Sequence, residues 1–147
     1  MEKKELTLHA IQLKEIKVVE LSIKANEPIS EQDIQRADFS LMAGRSEYNT
    51  NDHTIVVAVK IEVGDDSTPS PYKLKAELLG IFCVDEAQFD IKYINEFAEK
   101  NAPIILYPYL REHVYSLTMR CGFIPRILPL LEVPTLKITK IEDIHTE

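Results

Sequence analysis

The sequence predicts an α+β fold, a four-stranded antiparallel sheet covered on one face by a long helix. Three observations predict it. Residues 53–63 and 72–84 alternate apolar and polar positions on either side of a polar turn, the pattern of a hairpin with one buried face. Residues 101–121 place apolar side chains at helical spacing and end at Gly122. Strand-like segments come first and helical ones after, an order that puts the helices on one face of the sheet.

The first strand spans residues 5–25. Leu6 and Leu8 share one face, Ile11 and Leu13 fall on the other, and Leu21, Ile23 and Ala25 alternate again. Such phase slips are what β-bulges produce. A strand this long is expected to pair with more than one neighbour, or with another chain. Asn26-Glu27-Pro28 ends it, since proline has no N–H for the ladder. Residues 28–35 read as a connector with weak helical or turn character. A second strand over 36–49 carries Ala37, Phe39, Leu41 and Ala43 on one face.

The third strand sets Ile55, Val57, Val59, Ile61 and Val63 on one face. The fourth sets Tyr72, Leu74, Ala76, Leu78, Phe82 and Val84 on one face, with Lys73, Lys75 and Glu77 expected in solvent opposite. Gly64 to Pro71 is the turn between them. A short helix is expected from about Phe89 to Lys100, with Ile91, Ile94, Phe97 and Ala98 inward and Asn101 as its C-cap. Pro103 suits the first turn of the next helix, whereas Pro108 predicts a kink or a late start. Its stripe is Leu110, Val114, Leu117 and Cys121, widened by Tyr107, Tyr115 and Met119. Three prolines from Pro125 to Pro134 exclude a helix after Gly122 and disfavour an inner strand. The tail, residues 135–147, reads equally as a short helix or a strand.

The 147 residues suit one domain, 1–147, with a sizeable core. A net charge of −7 is a poor match for a nucleic-acid backbone and suits basic or unfolded polypeptide partners. No apolar run is long enough to span a bilayer and the first residues lack a secretory signal, so a cytoplasmic location is expected. Cys83 and Cys121 lie in apolar contexts and read as buried free thiols. No close cysteine pair suggests a metal, no glycine-rich loop suggests a phosphate, and no cofactor is expected. Glu112 and His113 are neighbours on a helix and point about 100° apart, so they do not form an acid–base dyad. Asp65-Asp66 reads as a solvated turn. Recognition by a surface is expected rather than catalysis.

From Asn101 to Leu131 the residues follow a Pro-x-x-[LI]-[FY]-P-Y-x-R-E core, a helix, then Gly-x-[FI]-P and Leu-x-Pro. Pro103, Leu106, Tyr107, Pro108, Tyr109, Arg111, Glu112, Gly122, Pro125, Leu128 and Pro129 carry that pattern. Gly80-Ile81-Phe82 and the strand ending Leu21 to Asn26 extend it upstream. Across residues 5–134 the chain resembles the SecB export-chaperone family. The resemblance implies a SecB-like domain that assembles as a homotetramer, a dimer of dimers. First strands would pair across one interface and long helices would pack across the other, with Leu110, Val114, Tyr115, Leu117 and Met119 at the helical one. It implies a holdase that keeps non-native polypeptides soluble and export-competent without ATP. Phe39, Leu41, Phe123, Ile124, Ile127, Leu128, Leu130 and Leu131 are the implied client-binding residues.

The resemblance also implies docking on the motor protein SecA through carboxylates of the exposed sheet face. Glu20 keeps one of these, but Lys24 and Lys75 occupy the other two positions. Such charge reversals weigh against a SecA partner. Two further readings stand beside the general holdase. One is a chaperone dedicated to a single client such as the antitoxin of a toxin–antitoxin pair. The other, of a different class, is an enzyme or small-ligand binder on the same fold.

Overall fold

The computed structural model describes residues 2–26, 39–64, 70–132 and the backbone of 138–140. The expected connector at 28–35, the start of the second strand, the turn at Asp65-Asp66 and most of the tail lie outside those residues. The strands are β1 (Ile11–Ala25), β2 (Phe39–Arg45), β3 (Thr54–Val63), β4 (Tyr72–Val84) and β5 (Ile138–Lys140). They form one sheet in the order β1-β4-β3-β2-β5. The first four pair antiparallel, and β5 lies parallel to β2 opposite Ala43–Arg45. A 3-10 turn at Ile91–Tyr93 leads into α1 (Ile94–Lys100), and α2 (Ala102–Arg120) follows after a single residue.

The β3–β4 hairpin forms the floor of the core. All five β3 side chains named above and all six from β4 are buried. The Val, Leu, Ile and Phe side chains among them are each worth about 1.5–3 kcal/mol relative to exposure. Strand β1 starts at Ile11 rather than near residue 5, because its partner β4 ends at Val84 opposite Ile11. Its register slips twice, between Leu13 and Glu15 and between Val18 and Glu20. The two bulges keep Ile11, Leu13, Ile16, Val18, Leu21 and Ile23 opposite the inward positions of β4. Within the described residues β1 pairs only with β4, so its other edge is open.

Helix α2 runs unbroken through Pro108. Pro108 is on the exposed side, where water can reach the Ile104 carbonyl that has lost its helical partner. The buried stripe is Ala102, Pro103, Leu106, Tyr107, Leu110, Val114 and Thr118. It therefore reaches Thr118 rather than Cys121. Cys121 is the exposed C-cap residue, and Cys83 is half-buried on the outer face of β4, which corrects the expectation of two buried thiols. Glu77 is likewise buried rather than solvated. It sits between Glu20 of β1 and Lys60 of β3 in one cross-strand row.

Gly80 sets how closely α2 approaches the sheet. A Cβ placed there would lie 2.7 Å and 2.9 Å from the two methyl carbons of Leu106, itself fully buried. Gly80→Ala is expected to cost about 1–3 kcal/mol through overpacking. The double variant with Leu106→Val should recover part of that loss in a denaturant-unfolding cycle. Additive losses would show that the contact at Gly80 does not set the spacing.

Candidate functional site

Helix α2 ends in a Schellman turn. The Gly122 N–H donates to Met119 O and the Phe123 N–H to Thr118 O, each at 3.1 Å, with Gly122 at φ 81°. The turn sends residues 123–132 back along the helix as an extended strap with no regular pairing. Prolines at 125 and 129 remove two donors, so the remaining backbone groups need partners from elsewhere.

Helix α2 supplies them from one stripe. The Arg126 N–H donates to Thr118 Oγ1 at 2.9 Å. Arg111 Nε donates to Leu128 O at 3.1 Å, and the Tyr107 hydroxyl donates to Pro129 O at 2.5 Å. Tyr107, Arg111 and Thr118 follow helical spacing, so a single face holds the strap. The Leu128 side chain is driven fully into the core beneath it.

These anchors divide the expected client-binding residues into two groups. Ile124, Ile127 and Leu130 face outward, 50%, 71% and 84% exposed. Their three-residue spacing matches the period of a polyproline II helix. Leu128 offers no surface and instead anchors the strap, which corrects its assignment as a contact residue. Phe39, Leu41, Phe123 and Leu131 are half-buried and packed against the core. Phe39 and Leu41 lie on the inward face of β2, opposite Val63 and Ile61. The Phe123 ring packs on Tyr72 with centroids 4.8 Å apart. The Arg126 guanidinium lies 5.8 Å from the Phe39 ring, a cation–π contact that ties the strap to β2. Burial raises the Tyr72 pKa, and the nearby Arg126 charge opposes that rise.

The expected oligomer residues also divide. Leu110 and Val114 are wholly buried under the protein's own sheet, so they are core and present nothing to a second chain. Tyr115 and Met119 are 42% and 51% exposed, and Leu117 lies between the two groups. Ile104, Ile105 and Tyr109 join Tyr115 and Met119 as exposed apolar residues of α2. Helical spacing alone did not separate this outer face from the inner one, because both are apolar. Val18 and Leu21 of β1, which lie opposite the inward positions of β4, are exposed as well.

Glu20, Lys24 and Lys75 all fall on the outer sheet face. Glu20 lies opposite Glu77, Lys24 opposite Lys73, and Lys75 opposite both Ser22 and Glu62. Glu62 binds Lys60 at 3.0 Å. The end of this face nearest Ala25 is therefore lysine-rich. The sequence reading missed Thr118, Tyr107 and Arg111 as a group. The available signal was a polar residue inside an otherwise apolar helical stripe, at 118.

Residues 2–136 match the family model described as preprotein translocase subunit SecB. The chain belongs to the SecB family. An uncharacterized protein of Methanocaldococcus jannaschii is 33% identical over 103 residues, covering 68% of this chain and 64% of that relative. The chain thus spans less than two thirds of that relative's length. Among solved structures, the Mycobacterium tuberculosis SecB-like chaperone Rv1957, in complex with a ChAD peptide from the HigA1 antitoxin, aligns with TM-score 0.64 at 19% identity. That alignment covers 84% of this chain and 91% of the neighbour, and shows the SecB-like fold.

The Tyr107 anchor is expected to be sensitive to alkali. Burial raises its pKa above the ordinary tyrosine value, partly offset by Arg111. A raised folded-state pKa gives stability that is complete below the unfolded value of about 10 and is lost as pH rises through the folded one. Tyr107→Phe is expected to cost about 0.5–1.5 kcal/mol at neutral pH. It should also remove part of the alkaline loss of stability, read from denaturation midpoints across that range. An unchanged pH profile would show that the hydroxyl does not hold the strap.

Proposed function

We propose that this SecB-family chain is an ATP-independent holdase that binds non-native polypeptides on the strap and the adjoining face of β2. The observation that carries the reading is the exposed row Ile124, Ile127 and Leu130, held out by a strap whose own backbone is anchored beneath it. Phe39, Leu41, Phe123 and Leu131, half-buried against the core, add apolar surface to the proposed site. An extended client burying three or four side chains here gains about 1.5–3 kcal/mol from each. After the cost of ordering, binding near micromolar strength per site is expected. Several sites on one assembly then add avidity.

The assembly we propose is a cytoplasmic homotetramer, a dimer of dimers. The open β1 edge and its exposed Val18 and Leu21 supply one contact, and the outer α2 face with Tyr115 and Met119 supplies another. The chaperone acts by binding and not by catalysis. Clients destined for export fit the family. Lysines at 24 and 75 weaken the case for SecA, with Glu20 the one carboxylate among the three expected docking positions. A specific observation favours a dedicated-client variant. The Mycobacterium tuberculosis SecB-like structure holds an antitoxin peptide, so an antitoxin is a reasonable single client here too.

Light scattering of a denatured client, read beside the mass of the protein in solution, tests the reading. The protein should suppress aggregation at near-stoichiometric ratios. The double variant Ile127→Asp and Leu130→Asp should lose most of that effect, at least tenfold in affinity. It should unfold within about 0.5 kcal/mol of the parent, because both residues are exposed. A parent protein that leaves aggregation unchanged would sink the holdase reading. Suppression of many unrelated clients favours the general holdase, and suppression of one client only favours the dedicated form.

Charge on the outer α2 face should break the assembly. Tyr115→Asp with Met119→Asp is expected to lower the solution mass from four chains toward two, with thermal stability measured at the same concentration. An unchanged mass would move the interface elsewhere.

A further inference from the structure

The strap is commonly the kind of segment expected to move, since it has no regular secondary structure and prolines break its pairing. The contacts argue the opposite. Every third residue from Ile124 to Leu130 is open, while the positions between are fixed by α2 at Arg126, Leu128 and Pro129. The first of these contacts differs from the other two. Thr118 is fully buried within α2, and its hydroxyl satisfies two demands at once. Its proton goes to the Val114 carbonyl at 2.8 Å, shared with the Tyr115 carbonyl at 3.0 Å. Its lone pair accepts the Arg126 N–H at 2.9 Å. The same residue's carbonyl accepts the Phe123 N–H of the Schellman turn. Thr118 therefore holds both sides of the proline at 125.

We propose that Thr118 is a positioning residue for client binding, which orients the strap so that Ile124 and Ile127 face outward together. This rests on the holdase reading above. Ile124 and Ile127 bracket the Arg126 anchor. If the Arg126 N–H loses its buried acceptor, this part of the strap is free to turn about its axis. A turn of one residue in a three-residue period exchanges an outward side chain for an inward or sideways one. The cation–π contact of Arg126 with Phe39 is lost in the same movement, which separates the strap from the β2 wall. The binding-competent arrangement then becomes a fraction of the population, and apparent affinity falls by that fraction.

A polar residue at this place in the stripe has no core-packing reason to be there. Valine would fill the same volume and avoid burying a hydroxyl. Threonine back-bonding to the preceding turn is also slightly unfavourable within a helix. The acceptor it offers to Arg126 is the use that the geometry shows.

The test compares Thr118→Val, which keeps the shape and removes the hydroxyl, with Thr118→Ser, which keeps the hydroxyl. The probe is a fluorescein-labelled peptide alternating leucine and serine, read by anisotropy. Amide hydrogen exchange is followed at the Arg126 N–H and across β3 and β4. The expected result is about tenfold weaker peptide binding by Thr118→Val, on the scale of losing one buried hydrogen bond. Exchange at Arg126 should quicken while β3 and β4 keep their protection, and Thr118→Ser should restore binding. Two results overturn the proposal. One is unchanged binding by Thr118→Val despite faster exchange at Arg126. The other is loss of protection in β3 and β4 in step with affinity, which would make Thr118 a purely structural residue. If the parent protein does not bind the peptide while suppressing aggregation of whole denatured clients, the positioning role fails and the holdase reading stands. If it does neither, both fail.

Discussion

One long helix has to cover a sheet that is too wide for it. Strands lie about 4.8 Å apart, whereas a helix with its side chains is about 10–12 Å across. Helix α2 therefore covers little more than β3 and β4, and those are the strands whose inner faces are completely buried. The flanking strands present apolar residues to the same side without a full cover. On the β1 side, Val18 and Leu21 stay open. On the β2 side, α1 reaches part of the strand, where Arg45 Nε binds Glu99 at 2.9 Å, and the strap closes on Phe39. Two of the candidate surfaces lie at the margins that the helix leaves, and the outer face of α2 is a third.

Much of the scaffold was legible because alternation reports which side chains share a face. The inward faces of the β3–β4 hairpin were readable residue by residue. Bulges in the first strand were expected too, but the slip read between Leu8 and Ile11 lies before β1, and the two bulges fall at Leu13/Glu15 and Val18/Glu20. What periodicity does not report is which face of an apolar helix gets covered. Leu110 and Tyr115 belong to one hydrophobic pattern in sequence, yet one is core and the other is surface. The length of β1 was overestimated for a related reason. Alternation at Leu6 and Leu8 is intrinsic to the chain, whereas strand pairing depends on how far β4 extends, and β4 stops at Val84.

The strap shows a different limit. Its prolines excluded regular structure correctly, but an irregular segment still has to satisfy its backbone. Three partners do so, and they come from residues 8 to 22 positions away in sequence. Nothing in the local composition of 123–132 names those partners. Leu128 looked equivalent to Ile127 and Leu130 by the same rule. The arrangement of anchors on α2 decides that Leu128 points inward and its neighbours do not.

The two margins differ in backbone as well as in side chains. The β2 edge is occupied over Ala43–Arg45 by β5, whereas the β1 edge carries no partner strand among the described residues. A long open strand edge is a template for another strand, and natural proteins cover or blunt such edges. The β1 edge is not blunted by proline. Its two bulges increase local twist, which restricts the partners it can accept to strands of matching curvature. A second copy of β1 has that curvature by construction, and two-fold pairing would cover both edges at once. The β2 margin offers less free backbone and more side chain, in a row that prolines keep from pairing. On the proposed reading, this difference in backbone separates assembly from client capture. Self-association would use the edge where hydrogen bonds demand a specific partner, and clients would use the margin where apolar contact tolerates many.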